Sequence, residues 1–307
     1  MHLELASFPF LRDVATTYFV VGTVVSIATV PLPFLKHASL YGRLLARAPA
    51  PSSGLLRALL SLSLPKSAAF TLFYVFGFAV AGGVFACALL GHLPAAHACV
   101  LGAYLLHVAR RLFECLAVHR FSAAARMPLH LFLFGAAHYA CAPFALLPAC
   151  GGGAPPRRAA LAALGALLFA AGSAVQLAAH AALAALPRGR EGAEEGASRK
   201  RYPLPSPAHS AAFALALCPH YTGEIALYAG LLLLRAAAAG GCAQTGWGAR
   251  EGWGGSPGWG AHAHWVLLAW TATNLCVTGS RTAAHYRADF PSEPRAMRTA
   301  AVIPGLL

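Results

Sequence analysis

Seven stretches of about 20 mostly apolar residues divide this chain, and each is long enough to cross a bilayer as a helix. They cover approximately residues 14–35, 67–90, 97–118, 128–150, 159–186, 209–234 and 263–280. Inside a bilayer, backbone polar groups must be hydrogen-bonded within the chain, which favours helices over open sheets. We therefore predict an all-α fold, a polytopic membrane protein with a bundle of six or seven transmembrane helices.

The composition excludes several classes of protein. Charged residues make up 11% of the 307 residues and hydrophobic residues 58%, whereas soluble domains carry about 25% charged residues. An ordinary cytosolic enzyme, a disordered protein and a secreted disulfide scaffold are therefore excluded. The net charge is +13. In so apolar a chain, an excess of Lys and Arg is more typical of a membrane protein, which carries these residues in its cytoplasmic loops, than of a nucleic-acid binder. The eight cysteines include no CxxC pair, so we expect buried thiols.

The distribution of Lys and Arg predicts the orientation. With seven spans, 16 of these residues fall on one side and 5 on the other, and the richer side is expected to face the cytosol. This places the N-terminus outside and the C-terminal tail, residues 281–307, in the cytosol. We treat residues 1–307 as a single integral-membrane domain, in which residues 1–66 supply the first span and a basic cytosolic loop.

Four ionisable residues share one face of the third apolar stretch. They are His107, Arg110, Arg111 and Glu114, at helical positions i, i+3, i+4 and i+7. Such groups are costly inside a membrane and are candidates for function. A buried ion pair that only fixes helix packing is the alternative interpretation.

Further polar residues lie in the later stretches. His220 and Glu224 are one turn apart and follow Pro219, and Gln176 and His180 have the same spacing. Asn274, Arg281, His285 and Tyr286 lie in or just after the last stretch. They either bind a phosphate group or only form the positively charged cytosolic flank of this helix. His262 and His264 lack a third ligand, so no metal is expected. No Rossmann or Walker-type glycine motif is present.

Several runs of residues together resemble one family. These are Arg110-Arg111-Leu112-Phe113-Glu114-Cys115, Gln176–His180, Tyr202-Pro203-Leu204-Pro205 and Cys218-Pro219-His220-Tyr221-Thr222-Gly223-Glu224-Ile225. They resemble motifs of the steroid 5α-reductase family and, more narrowly, of its polyprenol reductase branch. The resemblance covers roughly residues 65–307. The chain departs from the pattern at Ala179, where Cys is usual, and at Glu293, where Tyr is usual.

The resemblance implies an NADPH-dependent reductase with seven helices in the endoplasmic reticulum membrane. It implies cofactor contacts from Gln176, His180, Tyr202, His220, Glu224, Arg281 and Tyr286. His107 matches the position that polarises the substrate, and Arg110, Arg111 and Glu114 complete the expected catalytic face. The basic cytosolic loops suit the extra phosphate that distinguishes NADPH from NADH.

The resemblance also implies the substrate class, a long-chain polyisoprenoid lipid reached from the bilayer. A hydride adds to an alkene conjugated with a carbonyl and not to an isolated alkene, so the aldehyde polyprenal is a better acceptor than the alcohol polyprenol. The product would be on the route to dolichol, the lipid carrier of protein N-glycosylation. Neither nucleic acid nor an obligate protein partner is expected.

Other functions are open at this stage. Within the same family, the chain would be a 3-oxo-5α-steroid 4-dehydrogenase or an enoyl-thioester reductase. A membrane transporter would use Glu114 and Glu224 as a proton path, but it would show inverted repeats or paired broken helices, and the sequence has neither. A membrane methyltransferase would bind S-adenosylmethionine in place of NADPH.

Overall fold

The computed structural model describes residues 7–41, 45, 53–91, 93, 96–147, 158–186, 204–239 and 262–304. Within them the regular secondary structure is helical apart from one short strand pair. The helices are α1 (Ser7–Ala28), α2 (Pro33–Ala38), α3 (Gly54–Ser61), α4 (Lys66–Leu89), α5 (Ala96–Phe113), α6 (Leu129–Leu146), α7 (Arg158–Ala185), α8 (Pro219–Ala239), α9 (Ala263–Asp289) and α10 (Pro294–Arg298). A π-helix (Glu114–Val118) extends α5, and a 3₁₀-helix (Ala211–Ala214) precedes α8. Strands β1 (Ser63–Pro65) and β2 (Arg126–Pro128) pair antiparallel.

The prediction of an all-α membrane protein is confirmed. Four helices, α1, α4, α6 and α7, are long and apolar enough to cross a membrane, the stretch in α1 being Phe10–Ala28. Their outer faces carry exposed apolar side chains such as Val24, Leu72 and Leu167, which suit contact with lipid. The long helices α5, α8 and α9 carry charged residues such as Arg111, Glu224 and Arg281 and pack among the other four.

Proline residues explain where the predicted boundaries were wrong. Helix α1 ends at Ala28 and not at residue 35, because Pro31 and Pro33 follow and a proline disfavours helical backbone in the residue before it. Helix α8 begins at Pro219, about ten residues later than predicted, with proline in the first turn, where its missing N–H costs nothing. Helix α9 continues past residue 280 to Asp289 and ends just before Pro291.

Helices α7 and α8 are held together by two facing pairs of glycines. A Cβ atom on Gly165 or Gly230 would lie within 3 Å of backbone atoms of the other helix, and the same holds for Gly172 and Gly223. The two glycines on each helix are seven residues apart, so the antiparallel helices stay in backbone contact over two turns. Small residues at such crossings allow this close approach in membranes.

The loops and the C-terminal segment meet at one end of the bundle, here called the basic end. The strand pair lies there; Arg126 is the first residue of β2, and Lys66 directly follows β1. The backbone N–H groups of Leu217 and Cys218 donate to the carbonyls of Ala300 and Ala301 at 2.9 Å. The C-terminal segment is therefore packed against the start of α8, at the end that the charge count predicts to be cytosolic.

The six cysteines within the described ranges form no disulfide. Cys115 and Cys218 are buried, Cys87, Cys141 and Cys276 are partly buried, and Cys99 is exposed. The expectation of buried thiols therefore fails at Cys99, which lies on α5.

Candidate functional site

The carboxylate of Glu114 is the centre of a buried ionic cluster. Its side chain is fully buried at the start of the π-helix, a type of turn that is frequent at functional sites. Arg110 and Arg111 both donate to it, and Nδ1 of His180 lies 2.8 Å from its Oε2. Two guanidinium groups neutralise one buried carboxylate here, so the cluster keeps positive charge for other partners.

Arg111 connects this cluster to the neighbouring helices. Its Nη2 donates to the Tyr74 hydroxyl on α4 at 2.9 Å, and its Nη1 lies 2.9 Å from Nδ1 of His180 on α7. The guanidinium also lies over the Tyr74 ring, 5.1 Å from its centroid. Contacts on several sides hold this guanidinium in one orientation, which is the condition for a preorganised anion site.

A second chain of contacts joins α5 and α7 to Glu224 on α8. The amide of Gln176 accepts from Arg110 and donates to the Glu224 carboxylate. Nε2 of His107 lies 3.3 Å from the other oxygen of Glu224, and its Nδ1 lies 3.2 Å from Nη2 of Arg110. The glycine pairs between α7 and α8 make this bridge short enough, because Gly223 is next to Glu224.

The histidines continue the cluster toward the basic end. The ring of His180 lies 4.7 Å from that of His119 and 5.3 Å from that of His220, which in turn lies 4.2 Å from the Tyr221 ring. His119 is the first residue after the π-helix. Burial, with neighbouring His180 and Arg111, lowers the pKa of His119 to about 3, so it is neutral at physiological pH.

Beside the cluster lies a cavity of about 500 Å³, within the range of sites that bind cofactors and drug-sized ligands. At the basic end it is lined by Tyr41, Lys66 and Arg120. Further in it passes Arg111, Gln176, His180, His220 and Glu224, and toward the middle of the bundle it reaches Tyr74, His138, Tyr139, Tyr228 and Trp270. One face of α9 lines it over several turns, with Thr271, Asn274, Thr278, Thr282 and Tyr286. A cationic mouth thus leads to an aromatic inner end.

The structure brings most of the predicted site residues together. Arg111, Gln176, His180, His220, Glu224 and Tyr286 line the cavity. His107, Arg110 and Glu114 are not among the lining residues and lie behind this wall, bonded to the residues that form it. Tyr202 lies outside the described residues.

Arg281 is separate from the cluster. Its guanidinium donates to the Ser39 hydroxyl at 2.7 Å and to the Thr29 hydroxyl at 2.8 Å, and it does not line the cavity. These bonds tie α9 to Thr29, just after α1, and to Ser39, just after α2. Its contacts are therefore those of a packing residue.

Sequence reasoning missed His138, Tyr228 and Thr271, which line the inner end of the cavity. The signal for His138 was available, since an ionisable side chain inside a spanning stretch is a functional candidate by default. Tyr228 and Thr271 gave no such signal, because both residue types are ordinary in apolar helices.

Glu114, His119 and His180 also form a potential metal-ligand group, with one ligand atom of each within 4.8 Å of the others. A cation there would have to compete with Arg110 and Arg111 for the Glu114 carboxylate and would stand beside two positive charges. The donor set therefore fits an anion nearby better than a metal ion within it.

Two comparisons of the sequence with known proteins find no relative. No known family's sequence profile matches the chain, and a search of curated proteins finds no match. The resemblance to the steroid 5α-reductase family thus stays a prediction, which depends on the motif residues described above.

Proposed function

We propose that the chain is an NADPH-dependent reductase of the endoplasmic reticulum membrane that reduces the α-isoprene double bond of a polyprenol, by way of polyprenal. Reduction of polyprenal gives the saturated aldehyde, so a separate alcohol dehydrogenase must oxidise polyprenol to polyprenal before this step and a separate aldehyde reduction must follow it to give dolichol for protein N-glycosylation. One observation carries the proposal: residues from separate motifs, on α5, α7 and α8, are bonded into one cluster, and Arg111, Gln176 and Glu224 of this cluster line one cavity.

The residues of the cavity fit NADPH. Lys66 and Arg120 at the mouth suit its phosphate groups, since guanidinium and ammonium groups make the strongest hydrogen bonds to phosphate. Gln176, His220 and Glu224 supply amide, imidazole and carboxylate groups further in, which suit a carboxamide and ribose hydroxyls. When bound, NADPH supplies a hydride for the β-carbon of an alkene conjugated with a carbonyl.

The chain's own groups perform the remaining tasks. Glu114 keeps Arg111 and His180 in place, and Glu224 does the same for Gln176 and His107. Because their charges and dipoles are fixed before the ligand binds, little reorganisation is needed during the reaction. The aromatic residues at the inner end keep water away from the reacting carbon atoms.

The inner end also suits the acceptor. Phe73, Tyr139 and Trp270 give it an apolar surface that can cover isoprene units, and burial of such units contributes about 0.8 kcal/mol per CH₂ group. An enal has a polarised double bond, whereas the double bond of an allylic alcohol is not electrophilic. The aldehyde is therefore the species that we expect to be reduced.

A deuteride-transfer experiment tests the function. Membranes that contain the full-length chain are incubated with NADPH deuterated at C4 of the nicotinamide, and polyprenal, polyprenol and a Δ4-3-ketosteroid are offered separately. Mass spectrometry is expected to find one deuterium in the α-isoprene unit of polyprenal. Membranes with the Glu224→Gln variant serve as the site control and are expected to give much less label.

Each other outcome selects another function. Label only in the steroid would make the chain a 3-oxo-5α-steroid 4-dehydrogenase. Absence of label from every acceptor, with the protein folded and in the membrane, would refute the reductase proposal. Flux assays for a transporter would then be the next experiment, with Glu114 and Glu224 as the first residues to change.

A further inference from the structure

We infer that the oxygen of the substrate binds between Tyr228, His138 and Thr271, here called the inner polar pocket. This inference rests on the proposed function, since it assigns a position to the oxygen of the same acceptor. The three residues come from α8, α6 and α9, and all of them line the cavity. None of them belongs to the motifs that predicted the site.

A hydrogen bond between Tyr228 and His138 is the core of this pocket. The Tyr228 hydroxyl lies 3.0 Å from Nε2 of His138, and the two residues are 1% and 6% exposed. If Nε2 carries the proton, it donates to the Tyr228 oxygen and the tyrosine O–H is left to donate elsewhere. If Nε2 is bare, Tyr228 donates to it and Nδ1 of His138 carries the other proton. In both tautomers the pair keeps one further donor, and when that donor is the Tyr228 hydroxyl, the buried hydroxyl of Tyr104 is the acceptor with which a ligand oxygen would compete.

Two atoms of the pocket have no hydrogen-bond partner within the described residues. They are Nδ1 of His138 and Oγ1 of Thr271, and Thr271 is 4% exposed. Threonines in helices often bond back to a carbonyl one turn earlier, as Thr16 and Thr23 do here. Buried polar atoms are rarely left unpaired, so a polar group of a ligand is the natural partner.

The surrounding rings hold the pocket in a fixed geometry. The imidazole of His138 stacks on Trp270, with centroids 4.8 Å apart and planes at 27°. It is edge-on to Tyr139 at 5.0 Å and to Phe19 at 5.6 Å. A donor that is already fixed can stabilise the charge that develops on a carbonyl oxygen during reduction of the conjugated alkene.

His107, the residue expected to polarise the substrate, has a different position. Its side chain is fully buried, both of its ring nitrogens face charged partners on Arg110 and Glu224, and it does not line the cavity. Its ring lies 5.8 Å from that of Tyr228, at 77°. His107 is therefore a positioning residue behind Tyr228 and Glu224, and Tyr228 with Thr271 contacts the oxygen.

Binding of two lipids that differ only in oxygen tests the pocket without turnover. The full-length protein in detergent, without NADPH, is titrated with farnesal, an enal, and with farnesene, the hydrocarbon of the same chain length. The wild-type protein is expected to prefer farnesal by roughly tenfold, the effect of satisfying buried polar atoms. Tyr228→Phe and Thr271→Val are each expected to reduce this preference severalfold, with the affinity for farnesene unchanged.

Tyr18→Phe and Thr23→Val are the matched controls. They remove the same atoms from residues of α1 that do not line the cavity, and they should keep the full preference for farnesal. Equal binding of the two lipids by the wild-type protein would overturn the inference. A preference that persists in Tyr228→Phe and Thr271→Val but disappears in His107→Gln would also overturn it and return the oxygen to His107.

A third pair of variants tests the role of His138 through Tyr228. A glutamine amide can reach the position of Nε2, so His138→Gln should restore most of the oxygen preference that His138→Leu loses. The pocket and the proposed function can also fail separately. Deuterium transfer to polyprenal with no effect of these variants would refute the pocket alone, whereas an oxygen preference without deuterium transfer would refute the reductase.

Discussion

Gly172 on α7 and Gly223 on α8 face each other so closely that a Cβ on either would lie within 3 Å of the other's carbonyl oxygen. Gln176 lies one turn after Gly172 on α7, Glu224 directly follows Gly223 on α8, and the two side chains are hydrogen-bonded. The glycine pair thus sets the distance across which the site is assembled.

Gly172→Ala should therefore weaken both the fold and the site. The added methyl group meets backbone atoms, which cannot rotate away, and overpacking of this kind costs about 1–3 kcal/mol. Thermal unfolding in detergent should show a lower midpoint, and NADPH should bind more weakly because Gln176 and Glu224 are moved apart.

Gly83→Ala is the control for this prediction. Gly83 is in the interior of α4, and a Cβ there would meet no atom within 4 Å. Since alanine favours a helix by about 1 kcal/mol over glycine, this variant should be as stable as the wild-type protein or more so. Equal stability of the two variants would show that the α7–α8 contact is looser than described.

Glu114→Gln should destabilise the protein more than Glu224→Gln does. Glu114 is fully buried and is the shared partner of Arg110, Arg111 and His180, so its loss removes the carboxylate to which both guanidinium groups are bonded. Removing one partner from a buried ionic group costs about 3–5 kcal/mol. Unfolding with denaturant should detect this loss.

In Glu224→Gln the fold should persist, because Glu224 is on the cavity wall and its side chain is 16% exposed. Its main effect should be weaker NADPH binding, measured by equilibrium titration. A stable Glu114→Gln protein with unchanged NADPH affinity would contradict the structural role given to the Glu114 cluster.

The sequence predicted the parts of this site that depend on one helix at a time. The spacing of Arg110, Arg111 and Glu114 put them on one face of α5, and that ionic set is present. Partners on different helices were harder to predict. The Gln176–Glu224 bond depends on how α7 and α8 cross, which the glycines determine only once the two helices are known to be neighbours.

The inner polar pocket was missed for a related reason. Helix α6 is apolar around its whole circumference, so the sequence pattern does not indicate which face points inward. His138 could have been noticed as an ionisable group, but its pairing with Tyr228 on α8 could not. The family resemblance implies that His107 contacts the substrate; in the structure His107 does not line the cavity, and Tyr228 is the residue to which we assign this contact.

Lys66→Gln should weaken the binding of NADPH more than that of NADH. Lys66 lines the cavity at the basic end, with Nζ 5.3 Å from the centroid of the Tyr41 ring. A cation at this mouth favours the ligand with more phosphate, and we expect roughly a fivefold loss at low salt that shrinks as salt screens the charge. Lys36→Gln removes the same charge from α2, outside the cavity lining, and should have little effect. Equal losses for NADPH and NADH would contradict a phosphate site at the mouth.

Arg281→Ala should lower stability without changing NADPH affinity. Its guanidinium bonds to Thr29 and Ser39, away from the cavity. Loss of these bonds is expected to cost about 1.5–3 kcal/mol, the range for hydrogen bonds to a charged group. The experiment compares unfolding midpoints and NADPH titrations of the variant and wild type. Weaker NADPH binding at full stability would restore Arg281 to the cofactor site that the family resemblance implied.

Acidification should destabilise the protein through His119. Burial lowers its pKa to about 3 in the folded state, whereas in the unfolded chain it is near 6.5. Between these values the unfolded state binds a proton that the folded state does not, so stability falls as the pH drops from about 6.5 toward 3 and is unaffected by this group above about 7.

Unfolding midpoints from pH 8 to pH 4.5 should fall less steeply for His119→Gln than for wild type. His209→Gln changes an exposed histidine and should keep the wild-type slope; the same slope in all three proteins would show that His119 is accessible to protons in the folded state.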